Sequence, residues 1–261
     1  MTIVLKLLFI FLLFLGNSHA KIKSIDTRED IKQLFDVIKP KNSTEPTASV
    51  ILFAGGGGYL KMDQENWKKK GNFLVRSRKL FMKNNLAVAV IDAPSDYRTK
   101  DGMPAYFRTS SKHVEDVEAV IKFMKKRFKK PVWLVGTSRG TLSAAYVAIK
   151  SKGYVDGVVL TSSITKPNKK GTLRPISELS LYSLTVPILI AHHKYDSCYA
   201  SLSYDIKSVF NQLNTSIKEL KLFEGGVKGN DPCKGRSYHG FYKIEKEVVD
   251  YISKFIENNS K

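Results

Sequence analysis

The chain has 261 residues, of which 43% are hydrophobic and 26% are charged, a composition ordinary for one globular domain with a sizeable core. Its formal net charge of +19 is unusual, and few arginines with no aromatic-interleaved basic patch argue against a nucleic-acid-binding surface. We interpret the charge as a diffuse lysine-rich surface. The alternative is weak electrostatic association with anionic surfaces of the cell envelope.

The first 20 residues have the three parts of a secretory signal peptide. Lys6 supplies an early positive charge, an apolar run extends from Leu7 to Leu15, and the small residue Ala20 ends the segment. The apolar run is short for a membrane span, so an uncleaved N-terminal anchor is the less favoured alternative. The sequence therefore predicts a signal peptide over residues 1–20 and a mature protein that is periplasmic or secreted.

Residues 21–48 form a basic lead-in segment before the main domain. Apolar residues such as Ile25 and Leu34 recur at loosely helical spacing, and a polar linker follows from Pro40. We expect an amphipathic segment without catalytic residues here, followed by a single α/β domain over residues 49–261.

From residue 49 onward, apolar runs of strand length alternate with helical patterns. The runs are apolar on both faces, as expected for parallel strands that helices cover on two sides. This alternation predicts an α/β fold with a mostly parallel central sheet and helices on both faces. The predicted strands are 49–53, 86–91, 131–135, 155–160, 186–193 and 217–223, and the predicted helices are 72–83, 111–128, 141–149, 199–213 and 243–256.

A run of four glycines, residues 55–58, directly follows the first predicted strand of the domain. Glycine lets backbone N–H groups turn toward a ligand, and we expect Gly56 or Gly57 to donate such a group to a developing oxyanion. The alternatives are a phosphate cradle and a flexible turn. A P-loop would need Gly-Lys-Ser/Thr, which is missing, and the spacing does not fit a dinucleotide-binding G-x-G-x-x-G.

The motif Gly136-Thr137-Ser138-Arg139-Gly140 stands between a predicted buried strand and an Ala-rich predicted helix. This context is typical of a nucleophile elbow, in which small flanking residues let a serine adopt a strained backbone conformation. We therefore predict that Ser138 is a nucleophile and that the backbone N–H of Arg139 is an oxyanion donor. The alternative is a tight strand-to-helix turn with an N-capping serine.

Two histidines, His192 and His193, end the strand predicted at 186–193, and Asp196 follows them. Side chains alternate across a strand, so one histidine could support a site at this edge of the sheet. Packing at the strand end is an equal alternative. His113, at the start of a predicted helix before the elbow, is expected to be structural or supporting.

The chain has two cysteines, Cys198 and Cys233, and an even number suggests one disulfide in an exported protein. The bridge would tie together the loops that contain Asp196 and His239. Two unpaired buried thiols are the alternative. The spacing has no zinc-site pattern, and we expect neither a metal nor a cofactor.

Over residues 49–256 the chain resembles the α/β-hydrolase superfamily, on the basis of the G-x-S-x-G motif between strand and helix and the loops that follow it. Within the superfamily it is most similar to exported bacterial hydrolases with a paired histidine before the acid. It departs from lipases in lacking His-Gly-Gly-Gly, because Ala54 stands where that histidine would be. The resemblance implies an α/β-hydrolase fold, and the short segment 164–185 predicts a minimal cap.

In this superfamily the nucleophile, the acid and the histidine follow one another in that chain order. The resemblance therefore implies that Ser138, Asp196 and His239 form a catalytic triad. His239 is the only histidine after Asp196, whereas Asp205 and Asp231 are rival acids.

These features predict an exported serine hydrolase that cleaves an ester, thioester or amide of a small-molecule acyl substrate through an acyl-enzyme. Ester hydrolysis is the leading interpretation. The alternatives are a peptidase or acyltransferase that uses the same triad, and a non-catalytic basic binding protein of the cell envelope. The oligomeric state is left open.

Overall fold

The computed structural model describes residues 22–40, 45–69, 71–168 and 173–260, so the predicted signal peptide lies outside the described residues. Eight strands in these ranges form one sheet. They are β1 (Lys23–Asp26), β2 (Lys32–Ile38), β3 (Ala48–Phe53), β4 (Leu86–Ile91), β5 (Val132–Thr137), β6 (Gly157–Thr161), β7 (Ile188–His193) and β8 (Lys218–Phe223).

The spatial order of the sheet is β1-β2-β4-β3-β5-β6-β7-β8. Strands β3 to β8 pair in parallel, whereas β1 pairs antiparallel with β2 and β2 pairs antiparallel with β4. The helices of the described part are α1 (Phe73–Lys83), α2 (Ala105–Arg108), α3 (Ser111–Phe128), α4 (Gly140–Lys150), α5 (Ile206–Asn211) and α6 (Glu245–Asn258). The predicted α/β class and mostly parallel sheet are confirmed.

Helices cover both faces of the sheet and create two hydrophobic cores. In β3, Ile51 and Phe53 point into the core under α3, α4 and α5. Val50 and Leu52 point into the core under α1 and α6. Because every side chain of the strand is buried on one side or the other, all of its residues except Ser49 are apolar.

The described part of the lead-in segment contains no helix, so the expectation of helical spacing is wrong. This part forms β1 and β2, which extend the sheet beyond β4. Leu34 and Ile38 pack against one core and Phe35 lies in the other, which is the two-residue period of a strand. The buried polar residues Gln33 and Asp36 interrupt the apolar alternation, so the period is hidden in the sequence.

The helix predicted over 199–213 is also shorter than expected. Residues from Cys198 to Leu202 form turns, with a hydrogen bond from Ser201 N to Cys198 O, and a 3-10 helix (Ser203–Asp205) precedes α5. The described part of the segment between β6 and β7 contains two 3-10 helices of three residues, Ile176–Glu178 and Leu181–Ser183. The described part of this segment is therefore a minimal cap.

None of the helices in the described ranges has the length and apolar content needed to cross a bilayer.

Candidate active site

The turn between β5 and α4 holds Ser138 in a left-handed backbone conformation, with φ of 53°. This conformation is costly for a residue with a side chain and is tolerated where the surroundings enforce it. A Cβ at Gly136 would lie 2.5 Å from the carbonyl oxygen of Gly140, and a Cβ at Gly140 would clash with the carbonyl oxygen of Phe53. The two glycines of the motif are therefore required by packing.

Asp196 and His239 reach the same edge of the sheet from two different loops. Asp196 follows β7 by three residues, and His239 lies in a 3-10 helix (Tyr238–Gly240) between β8 and α6. The Nδ1 atom of His239 lies 2.8 Å from Oδ2 of Asp196, and both residues are buried. An ionised carboxylate accepts only, so Nδ1 carries the proton and Nε2 is left free to accept one.

The carboxylate of Asp196 is held by further donors. Its Oδ1 accepts a hydrogen bond of 3.0 Å from the backbone N–H of Cys198, and its Oδ2 lies 3.4 Å from the hydroxyl of Ser201. These contacts fix the orientation of the carboxylate toward His239.

Ser138 and His239 line one cavity of about 460 Å³ at the carboxyl ends of the strands. This volume lies in the range of small-molecule sites. Among the described residues, no side chain makes a hydrogen bond with Oγ of Ser138, so Ser138 and His239 are linked by the shared cavity wall. Hydrogen bonds between a nucleophile and its base are often loose before substrate binds.

The rival acids are engaged elsewhere. Oδ1 of Asp231 accepts a hydrogen bond of 2.9 Å from the backbone N–H of Cys233. Asp205 lies 3.6 Å from the ammonium group of Lys166. Of the three candidate acids, Asp196 is the one that the structure brings to His239.

His192 lies beside Asp196, whereas His193 contacts Tyr238. Nε2 of His192 lies 3.2 Å from the carbonyl oxygen of Ser201 and 3.6 Å from Oδ2 of Asp196. Burial lowers the pKa of His192 to about 4, so the ring is neutral at pH 7. His193 stacks on the ring of Tyr238, which directly precedes His239 in the chain, with 4.2 Å between ring centroids.

The glycine run lies beside Ser138. A Cβ at Gly55 would lie 2.9 Å from Cβ of Ser138, and Gly55 and Gly56 line the cavity. Gly57 is not part of the cavity lining, and its carbonyl accepts a hydrogen bond of 2.7 Å from Met103 N. Of the two donors considered from the sequence, Gly56 therefore has the better position.

A residue that the sequence did not single out, Arg108, holds the glycine run from behind. Its guanidinium donates to the carbonyl of Gly56 at 3.1 Å and to Oγ of Ser143, on α4, at 2.8 Å. Arg108 is fully buried and makes no ion pair with a carboxylate of the described residues. Burial and the nearby charge of Arg139 lower the pKa of Arg108 to about 9, so it remains charged at neutral pH.

His113 lies behind the site among aromatic rings, at 6.4 Å from Phe53 and 5.2 Å from Phe107 between ring centroids. Burial, with the charges of Arg108 and Arg28, lowers the pKa of His113 to about 3. It does not line the cavity, which agrees with a structural role.

A second residue missed in the sequence is Ser162, directly after β6. Its hydroxyl donates to the carbonyl oxygen of His239 at 2.7 Å, and the side chain is fully buried. Ser162 has a left-handed backbone, with φ of 46°. The two partners are 77 positions apart, so no local sequence pattern could reveal this contact.

The predicted disulfide between Cys198 and Cys233 is present. Cys198 lies beside Asp196, and Cys233 lines the cavity that contains Ser138 and His239. The bridge therefore joins the loop of the acid to the loop that forms one wall of the cavity.

Comparisons with known proteins agree with this geometry. Residues 78–187 match the family model described as serine aminopeptidase, S33. A comparison with curated proteins found no match.

Several solved structures share the fold along nearly their whole length. Est1E from Butyrivibrio proteoclasticus is 16% identical with a TM-score of 0.63, over 91% of this chain and 98% of that one. Dienelactone hydrolase from Anabaena variabilis is 13% identical with a TM-score of 0.62, over 92% of this chain and 99% of that one. The Pyrococcus furiosus esterase Pf2001 is 14% identical with a TM-score of 0.60, over 91% of each chain.

The order of the strands, the elbow between β5 and α4, and the matched family model agree with one another. The chain therefore has an α/β-hydrolase fold, and its residues 78–187 are similar to the serine aminopeptidase S33 family.

Proposed function

We propose that the protein hydrolyses carboxylic esters of small molecules through an acyl-enzyme, with Ser138, His239 and Asp196 as its triad. The observation that carries this proposal is the 2.8 Å hydrogen bond between Asp196 and His239 on the wall of a cavity that the strained Ser138 also lines. These are the three groups that acyl transfer to a serine requires.

In the first half of the reaction, Oγ of Ser138 attacks the ester carbonyl while Nε2 of His239 accepts the hydroxyl proton. The tetrahedral intermediate then expels the alcohol, which receives that proton from His239. In the second half, His239 accepts a proton from water, water attacks the acyl-enzyme, and the acid leaves as Oγ of Ser138 regains its proton. Asp196 holds the imidazole in the required tautomer throughout.

The oxyanion formed in both halves needs fixed donors. We assign this role to the backbone N–H groups of Arg139 and Gly56, with Gly57 as the alternative second donor. Each such donor lowers the barrier by about 3 kcal/mol. Arg139 is also at the N-terminus of α4, where the helix dipole favours negative charge.

An ester is favoured over a peptide substrate by the charges around the cavity. A peptidase that acts on free amino termini needs a group that attracts an ammonium ion. The charged side chains in the described cavity lining are Lys234 and Arg236, and the lining contains no Asp or Glu. This electrostatic environment repels an ammonium group. The charges of the cavity therefore favour an ester, although the description of the matched family model, serine aminopeptidase, would suggest a peptide substrate.

We propose further that the protein acts outside the cytosol, in the periplasm or the extracellular medium. The disulfide between Cys198 and Cys233 supports this location, because such bonds persist in oxidising compartments. The signal-peptide pattern of residues 1–20 points the same way.

The test is covalent labelling of the mature protein with a fluorophosphonate, together with turnover of short-chain p-nitrophenyl esters. We expect labelling at Ser138 and hydrolysis of the esters, and Ser138→Ala abolishes both. Ser163→Ala, which changes a buried serine whose Oγ has no partner among the described residues, is the matched control and retains labelling. Absence of labelling in the wild-type protein, or equal labelling of Ser138→Ala, would overturn the proposal in favour of a non-catalytic basic protein.

A further inference from the structure

One wall of the cavity beside Ser138 is cationic. The loop from Cys233 to Arg236, which we name the cationic arm, contributes Lys234 and Arg236 to the lining. Both side chains belong to exposed residues. With no carboxylate in the described lining, nothing within the cavity offsets these two charges.

Neither cation is engaged with a carboxylate of the described residues. The carboxylate of Glu245 forms an ion pair with the neighbouring Arg76, whose guanidinium lies 2.8 Å away. Arg236 contributes to lowering the pKa of Arg76, after the larger effect of burial. The carboxylate of Asp231 is turned to the backbone N–H of Cys233. Lys234 and Arg236 are therefore available to a ligand.

The backbone of the cationic arm is fixed at both ends. The disulfide ties Cys233 to Cys198, and the hydroxyl of the buried Ser237 donates to the carbonyls of Pro232 and Lys234 at 2.9 and 2.6 Å. Gly235 packs so closely against Gly71 that a Cβ would clash with its carbonyl. Two long cationic side chains thus project from an anchored backbone, which lowers the entropy lost when they bind.

The N-terminus of helix α1 adds to the positive field of the cavity. Its N-cap Asn72 and its first residue Phe73 line the cavity, so the positive end of this 11-residue helix faces the same space. The net charge of +19 gives an anionic molecule a long-range attraction toward the protein as a whole. The local and global electrostatics therefore favour the same sign of substrate charge.

We propose that the substrate is an ester with a second, negatively charged oxygen group, such as a carboxylate, and that Lys234 and Arg236 bind this group while Ser138 attacks the ester carbonyl. This inference rests on the proposed esterase function and defines its substrate class. Arg236 can form a bidentate pair with a carboxylate, whereas Lys234 acts as a point charge. The two residues determine specificity and take no part in the bond changes at Ser138.

The experiment compares two pairs of esters that differ in one carboxylate. The first pair is p-nitrophenyl butyrate and the p-nitrophenyl monoester of succinic acid, with the charge in the acyl group. The second pair is phenyl acetate and acetylsalicylate, with the charge in the leaving group. The kcat/KM of each ester is measured for the wild type, Lys234→Gln, Arg236→Gln and the double variant. Lys152→Gln, an exposed lysine that follows α4 near the opposite edge of the sheet, is the control.

We expect one of the two pairs to show preference for the charged ester in the wild type. The double variant lowers this preference by about tenfold, mainly through KM, and leaves the neutral ester within about twofold. High salt reduces the wild-type preference in the same direction. Lys152→Gln leaves it unchanged.

Two negative results have different meanings. If the wild type hydrolyses the neutral esters and the double variant retains the same charged-to-neutral ratio in both pairs, the inference about Lys234 and Arg236 is wrong and the esterase proposal stands. If the wild type hydrolyses no ester and is not labelled by a fluorophosphonate, the proposed function itself fails, and this inference fails with it.

Discussion

The hydroxyl of Ser162 donates a 2.7 Å hydrogen bond to the backbone carbonyl of His239, and so connects the end of β6 to the loop of the proposed catalytic base. The side chain is fully buried, and this contact joins two parts of the chain that are 77 positions apart. The position of the imidazole therefore depends on the sheet through Ser162 as well as on Asp196.

Replacing Ser162 by Ala is expected to lower kcat for p-nitrophenyl esters by about tenfold, because a small misplacement of a catalytic group costs this much or more. The free energy of unfolding should fall by about 1–3 kcal/mol, since the carbonyl of His239 loses its donor. Steady-state kinetics and urea unfolding measure the two effects. Ser163→Ala is the matched control, because Ser163 is equally buried and its Oγ has no partner among the described residues. Equal loss of kcat in both variants would contradict a specific role for Ser162.

The identity of the acid is tested by Asp196→Asn. An amide at this position cannot stabilise the imidazolium and favours the wrong tautomer of His239, so kcat should fall by about 10⁴-fold. Asp205→Asn and Asp231→Asn are the controls, since these carboxylates contact Lys166 and the backbone of Cys233 instead. We expect both controls to retain activity within a few-fold. Near-normal turnover by Asp196→Asn would show that another group is the acid that orients His239.

The sequence predicted the triad candidates better than it predicted their supports. Ser138 has a local signature in its flanking glycines, and His239 is the only histidine after Asp196. Ser162 and Arg108 have no such signature, because they act through hydrogen bonds to distant residues. The partner of Ser162 is 77 positions away, and the partners of Arg108 are 35 or more positions away. A pattern within a window of ten residues holds no information about such contacts.

Two strands were missed for a related reason. The buried amide nitrogen of Gln33 donates to the carbonyls of Leu34 and Asp92 at 2.9 and 2.8 Å, so a polar residue occupies a core position of β2. Asp36 is also fully buried in this strand. In the sequence both residues count as exposed, and the two-residue period of β2 is lost.

Arg108 is expected to position the glycine run during catalysis. Arg108→Met keeps a similar length but cannot donate to the carbonyl of Gly56, so the loop becomes less restrained. We predict that kcat falls by about 10–100-fold with little change in KM, as expected when an oxyanion donor is misplaced. The melting temperature should change little, because an unpaired buried charge is removed along with its hydrogen bonds. Ser143→Ala, which removes the other partner of Arg108, should give a smaller loss of the same kind. A KM effect without a kcat effect would indicate substrate binding instead of positioning.

The disulfide should contribute to the stability of the fold. It closes a loop of 35 residues, for which the chain-entropy model gives about 4 kcal/mol of stabilisation. Thermal unfolding of Cys198→Ala/Cys233→Ala should therefore occur well below that of the wild type. A thiol assay on the denatured, unreduced wild type should find no free thiol. Reductant should lower the melting temperature of the wild type and leave that of the double variant unchanged, and two free thiols in the untreated protein would contradict the bridge.

His113 makes the fold sensitive to acid. Its pKa in the folded protein is about 3, whereas its ordinary value is 6.5, so the unfolded chain binds a proton between these pH values that the folded chain does not. The contribution of the neutral ring is complete above pH 6.5 and is lost as the pH falls toward 3. The corresponding slope is at most about 1.4 kcal/mol of unfolding free energy per pH unit.

We therefore expect His113→Leu to reduce the dependence of the unfolding free energy on pH between 6.5 and 4, measured by urea unfolding at several pH values. His192 titrates in the same window in both proteins, so part of the dependence remains. Val114→Ala, at the neighbouring buried position of α3, is the control and should lower stability at every pH without changing the slope. The prediction is contradicted if the unfolding free energies of His113→Leu and the wild type depend on pH in parallel. In that case His113 is protonated in the folded state or reaches solvent. The burial of its uncharged imidazole is then not what limits stability in acid.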